Sequence, residues 1–182
     1  MPSRDDRLSP ARRLCLDAML LGVALLLSYL ESVLPLSVWI PLPGFKLGLC
    51  NILITVAFVS VSPRDAAGIS LCRILLMGML FGNVSSLWFS LCGGVLAHMG
   101  LWILAQSGRR WFSMIGVSVG CAAMHNVGQL LAAGTLFGFG VVISYLPMLL
   151  IASLVFGTVT GLLLQAFLPR FEAVKHKLMR GE

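Results

Sequence analysis

Charge is what this sequence has least of. Charged side chains make up 11% of its 182 residues, where an ordinary soluble domain carries about 25%. A water-soluble fold needs a polar shell that this composition cannot supply, which argues against a cytosolic enzyme, a nucleic-acid-binding domain and a disordered tail. Paired cysteines are also missing. Cys15, Cys50, Cys72, Cys92 and Cys121 stand singly in apolar stretches and none forms a C-x-x-C, so they read as small buried hydrophobes and not as a disulfide framework or a metal site. No Walker motif is present, and the chain therefore does not hydrolyse ATP itself. The only adjacent aspartates, Asp5-Asp6, lack the Asp-Asp-x-x-Asp spacing that holds magnesium on a diphosphate. His-Glu-x-x-His, Gly-x-Ser-x-Gly and haem-attachment patterns are absent as well. No catalytic residue, cofactor or metal is expected.

What is abundant is apolar sequence, 58% of the chain. It falls into runs parted by short polar or Gly/Pro breaks, at about 14–34, 47–61, 66–82, 84–105, 112–137 and 141–168. All but the second have the roughly 17–25 residues that cross hydrocarbon. The first run is too long for a signal peptide and continues into Glu31 without a small-residue cleavage pattern. The expectation is an all-α integral membrane bundle of six transmembrane helices, a single domain over 1–182 with a basic tail at 169–182.

The basic residues orient it. Of 13 Lys and Arg, 11 fall in the N-terminal tail (Arg4, Arg7, Arg12, Arg13), the second loop (Arg64), the fourth loop (Arg109, Arg110) and the C-terminal tail (Arg170, Lys175, Lys177, Arg180). The third and fifth loops hold none. By the positive-inside rule both termini lie in the cytoplasm, and the net charge of +6 is a topological signal with no nucleic-acid partner behind it. Tyr29, Trp39, Trp88 and Tyr145 fall near the outer interface. The tail, with Phe171, Val174 and Leu178 among its basic residues, reads as lying along the cytoplasmic headgroups.

Polar groups inside the runs are costly and usually face a partner or a cavity. They gather in the outer half: Glu31 near the end of span one, Lys46 before span two, Asn51 just inside it, Asn83 in the turn after span three, Tyr145 at the start of span six, and His125, Asn126 and Gln129 in the outer half of span five. His125 and Gln129, four apart, share a helix face, and Asn126 lies about 100° round it. The cluster suits a ligand's polar head, or an interhelical hydrogen-bond clamp. Pro41-Leu42-Pro43-Gly44-Phe45-Lys46 reads as a re-entrant loop, since its prolines forbid regular helix. Lys46 is then a cation at a pocket mouth, or a lysine snorkelling to the headgroups. Arg73 is expected in an ion pair with Asp17. His98 reads as a core histidine with a hydrogen-bond partner. Small residues four apart (Ala18 and Gly22, Gly116 and Gly120, Gly157 and Gly161) suit close helix packing.

Pro43-Gly44-Phe45-Lys46-Leu47-Gly48-Leu49-Cys50-Asn51 resembles the P-G-x-K-L-G-L-A-N signature of the Gx transporter family, also labelled heptaprenyl diphosphate synthase component I, with Cys50 where Ala is usual. Gly116-Val117-Ser118 followed by His125-Asn126-Val127-Gly128-Gln129 resembles its second signature. Arg73 with Gly78 and Gly82, and Tyr145-Leu146-Pro147, fit as well. The resemblance covers about 14–168. It implies similarity to the S components of energy-coupling factor transporters: six helices in the bacterial cytoplasmic membrane, an outward pocket for a small or lipid-like metabolite related to quinones, flavins or isoprenoids, and a membrane coupling subunit carried by ATPases, which Ala18 and Gly22 would face. The alternative it implies is a membrane accessory subunit of heptaprenyl diphosphate synthase. On either reading, membrane lipids surround the chain.

Overall fold

The structure is a computed structural model that describes residues 9–33, 48–81, 84–106 and 113–180, without the side chains of 106, 141 and 178–180. The described residues are helical: α1 (Pro10–Val33), α2 (Cys50–Ser60), α3 (Pro63–Leu80), α4 (Val84–Gln106), α5 (Met114–Phe137), the single turn α6 (Phe139–Val142), a 3₁₀ turn (Ile143–Tyr145) and α7 (Leu146–Arg180). The expected re-entrant segment, Lys46 and Asn83 lie outside the described residues.

Local chemistry sets several boundaries. Ser62 caps α3 by accepting from Arg64 N at 3.2 Å, Pro63 occupies the first turn and Asp65 follows, so each residue suits the positive end of a helix. Ser113 caps α5 by accepting from Gly116 N at 3.1 Å. Gly138, at φ 88°, closes α5 in a backbone conformation that other residues adopt only under strain.

Among the described residues, four helices are long and apolar enough to cross a membrane: Pro10–Val33, Val84–Ala105, Met114–Phe137 and Ile143–Lys177. Arg64, Asp65 and Arg73 make α3 more polar than these. Helix α2 has 11 residues, about 16 Å of rise, short of the roughly 30 Å hydrocarbon core. Large apolar side chains stand exposed on the periphery, among them Leu14, Met19 and Leu26 of α1, Met99 and Trp102 of α4, and Ile151, Leu154 and Leu162 of α7. Such a surface is unstable in water and ordinary in lipid. The chain is a helical membrane protein.

Helix α2 is the shortest of the main helices and the most enclosed. Leu53, Ile54, Val56, Ala57 and Phe58 are all buried, packed with Leu20 and Ala24 of α1, Ala66 and Ile69 of α3, Leu101 of α4, Cys121 of α5 and Leu164 of α7. A helix covered on most sides has little use for a polar face; Asn51, Thr55 and Ser60 are its polar residues, and Val59 its exposed one. Helix α5 packs along α4 on one side and α7 on the other. Helix α1 buries only the stripe Leu16, Leu20, Ala24, Ser28 and Glu31.

One end of the bundle is tied by charge. Arg13 donates to both carboxylate oxygens of Asp65, at 2.7 and 2.8 Å, and Lys175 donates to the carbonyl of Ser60 at the C-terminus of α2, where a cation is favoured. Lys175 belongs to α7, which runs 35 residues through Pro169. The proline lacks one N–H donor, yet the helix resumes beyond it because Leu168 and Phe171 pack against the core. The segment expected along the headgroups therefore continues α7, and Lys175 docks it on the α2–α3 corner.

Candidate functional site

Glu31, Asn51 and Thr55 gather where α2 begins. Gly48, at φ 76°, turns the chain into α2, and Glu31 of α1, 4% exposed, accepts from Leu49 N at 2.6 Å. A carboxylate there satisfies an amide that the helix cannot and complements the helix dipole. Glu31→Ala is expected to destabilise the protein by about 1–2 kcal/mol and to speed hydrogen exchange at the Leu49 amide. Glu31→Gln, which keeps an acceptor, should do less of both.

Asn51, in the first turn of α2, lines two crevices. One, a small cavity of about 20 Å³, lies between α2, α5 and α7 and is lined by Gly48, Asn51, Ile52, Thr55, Ser118, Cys121, Ala122 and Thr160. The other, about 10 Å³, lies between α2, α3, α4 and α5, with Ser70, Gly94, Ala97, His98 and Leu101 on its far walls. Asn51, Thr55 and Cys121 line both. The hydroxyls of Thr55 and Thr160 donate to carbonyls of their own helices, Asn51 O at 2.9 Å and Gly157 O at 3.0 Å, so their oxygens keep acceptor capacity toward the space.

His125 and Gln129 continue the same face of α5, one and two turns beyond Cys121. Both are buried, and both lie against Gly93 of α4: a Cβ on that glycine would stand 2.8 Å from the His125 ring and 3.1 Å from Gln129 Cγ. Asn126 turns to α7 instead. Its amide donates to Ser153 Oγ at 2.9 Å and Leu149 O at 3.2 Å, a clamp between α5 and α7. The structure thus divides the cluster: His125 and Gln129 pack against Gly93 of α4 and line neither crevice, and Asn126 holds two helices together. Tyr145 is half-buried in the 3₁₀ turn. Ala18 and Gly22 are exposed on the outer face of α1, and a Cβ on Gly22 would meet nothing within 4 Å.

Arg73 and Asp17 do not form the expected ion pair. Arg73, 4% exposed, donates from Nη1 to Ser28 Oγ at 3.1 Å. Ser28 lies eleven residues beyond Asp17 on α1, about 16 Å along its axis, out of reach of a side chain held at Ser28. Asp17 sits one turn after Arg13, whose guanidinium is engaged by Asp65.

Thr55, Ser70, Ser118 and Thr160 are lining residues that residue-by-residue reading passes over, because lone hydroxyls in an apolar helix usually bond their own backbone. The usable signal is periodic: Asn51 and Thr55 are four apart, and Ser118, Cys121, His125 and Gln129 step by three or four along one face of α5.

Comparison with protein families adds one finding. Residues 20–167 match the family described as heptaprenyl diphosphate synthase component I. The chain belongs to this family. The matched stretch holds Glu31, the start of α2, both crevices and the His125–Gln129 face. The stretch ends before Lys175 and begins after Arg13, so one partner of each tie at that end of the bundle lies outside it, while Asp65 and Ser60 lie within. Comparison with curated proteins and with solved structures gives no match.

Proposed function

We propose that this family member is the substrate-capturing membrane subunit of a transporter, similar to an S component of an energy-coupling factor system. It holds a small or lipid-like metabolite and leaves ATP hydrolysis to partner subunits. In this reading α2 and α3 complete six crossings, and both termini lie in the cytoplasm as the basic residues direct. The observation that carries the reading is the polar-lined crevice at the start of α2. Amide and hydroxyl groups are expensive among lipid-facing helices, and here they line space between α2, α5 and α7. Glu31, Asn51, His125 and Gln129 would orient the ligand, with Lys46, Asn83 and Tyr145 nearer the mouth. The exposed small residues of α1, Ala18 and Gly22, would face a coupling subunit.

Native mass spectrometry of the detergent-purified protein tests this. A metabolite mass should be retained on the wild type. It should be lost from His125→Ala and Gln129→Ala while both variants stay folded and monodisperse. Recovery of the bare chain with lipids alone would overturn the reading.

The family description favours a second reading, an accessory subunit that anchors a soluble prenyl diphosphate synthase chain at the membrane. In that case His125→Ala is silent, and deletion from Arg170 onward abolishes co-purification of the synthase.

A further inference from the structure

We propose that the crevice between α2, α3, α4 and α5 binds a buried water that ties Thr55 of α2 to His98 of α4. The inference stands whether or not the protein captures a metabolite. The crevice measures about 10 Å³, close to the volume that a water needs, and a space of that size stays wet only when roughly two to four polar groups face it. Its described lining offers the Asn51 amide, the hydroxyls of Thr55 and Ser70, and the His98 imidazole. Ile54, Ala97 and Leu101 close the apolar side.

The bonding pattern follows from the neighbours. The His98 ring is held edge-on by Phe58, with centroids 5.7 Å apart, and it hydrogen-bonds the carbonyl of Pro63 at the start of α3. A carbonyl only accepts, so the ring nitrogen on Pro63 carries the proton. Nδ1 is enclosed and has no hydrogen-bond partner among the described residues. The Pro63 bond therefore falls to Nε2, and in the neutral ring Nδ1 is an acceptor that lacks a donor. Burying such an atom is costly. Thr55 has the matching need: its hydroxyl donates to Asn51 O at 2.9 Å, which leaves an oxygen able only to accept. Two acceptors on the wall of one small space call for a donor with two protons, and a water supplies both. The Ser70 hydroxyl or the Asn51 amide can donate in turn to the water's oxygen. Water is uncharged and gives hydrogen bonds as well as taking them, so its fit does not depend on the charge that Lys46 brings to the mouth.

Radiolytic footprinting tests this, because hydroxyl radicals made from a bound water by X-rays mark the side chains beside it. The full chain in nanodiscs is irradiated in heavy-oxygen water and the label is mapped by mass spectrometry. Leu101 lines this crevice, whereas Phe89 is buried to the same extent and lines neither. Leu101 should take up label several times faster than Phe89, although a phenyl ring is the more reactive target. His98→Phe keeps the packing on Phe58 and removes Nδ1. It should lower the label on Leu101 roughly two- to fivefold, the occupancy lost with a hydrogen bond. Thr55→Val, which keeps the side chain's shape without its hydroxyl, should do the same, and it serves if His98→Phe does not fold. Labelling of Leu101 no faster than that of Phe89 overturns the proposal, and so does labelling that neither substitution lowers.

Discussion

Replacing Gly128 with valine should leave little folded protein in the membrane. A Cβ at this position would stand 2.5 Å from the carbonyl oxygen of Cys92 and 2.8 Å from the Cα of Gly93. Those are backbone atoms of α4, so no rotamer change relieves the clash, and α5 must move off α4 along one of the two seams that hold it. Overpacking of this kind costs about 3 kcal/mol when the neighbours cannot shift, a large share of the stability of a small domain. The movement would also take His125 and Gln129 off the α4 surface that confines them. The expected result is a sharp fall in monodisperse yield from detergent and a broad, early thermal transition. Gly22→Val is the control: a Cβ there has open space around it, so stability should not change. If Gly128→Val folds as well as Gly22→Val, the close α4–α5 crossing is wrong.

Gly48→Ala should damage the crevice with less harm to the bundle. Gly48 is at φ 76°, where an added Cβ costs about 1–2 kcal/mol. That Cβ would also stand 2.9 Å from Asn51 Nδ2, so the Asn51 side chain must turn away from the space it lines. The two effects separate by comparison with Asn51→Leu, which removes the amide and leaves the backbone unstrained. Both variants should lose the retained metabolite, by tenfold or more for a ligand held through that amide. Only Gly48→Ala should also lower the melting temperature. Retention of ligand by Asn51→Leu would take Asn51 out of the site.

Much of the helical layout is legible in the order of residues. The run expected at 84–105 is α4 over Val84–Gln106, and that at 112–137 is α5 over Met114–Phe137, because continuous apolar sequence between polar breaks leaves few alternatives. The expected run 141–168 differs most. It opens on a broken stretch, the single turn α6 and a 3₁₀ turn, with Pro147 at the start of α7. It overshoots at the other end, because Pro169 marks a stop only when nothing beyond it packs, and Phe171 does. Side-chain partners were less legible than helices. Helical phase places His125 and Gln129 on one face, but whether that face meets a glycine of α4 or a carbonyl of α7 depends on crossing geometry, which periodicity does not encode. Asn126 shows the point: one residue from His125, it is claimed by Ser153 and Leu149. The Arg73 and Asp17 pairing missed for the same reason, since two ionisable groups in neighbouring apolar runs need matched heights along their axes.

The docking of Lys175 on the last carbonyl of α2 makes that short helix a strut with a handle at each end. Its far end is held by Glu31 at Leu49, and Asn51 rides on its first turn. A protein that grips the end of α7 from below therefore has its hand on the floor of the crevice, through a rigid rod only three turns long.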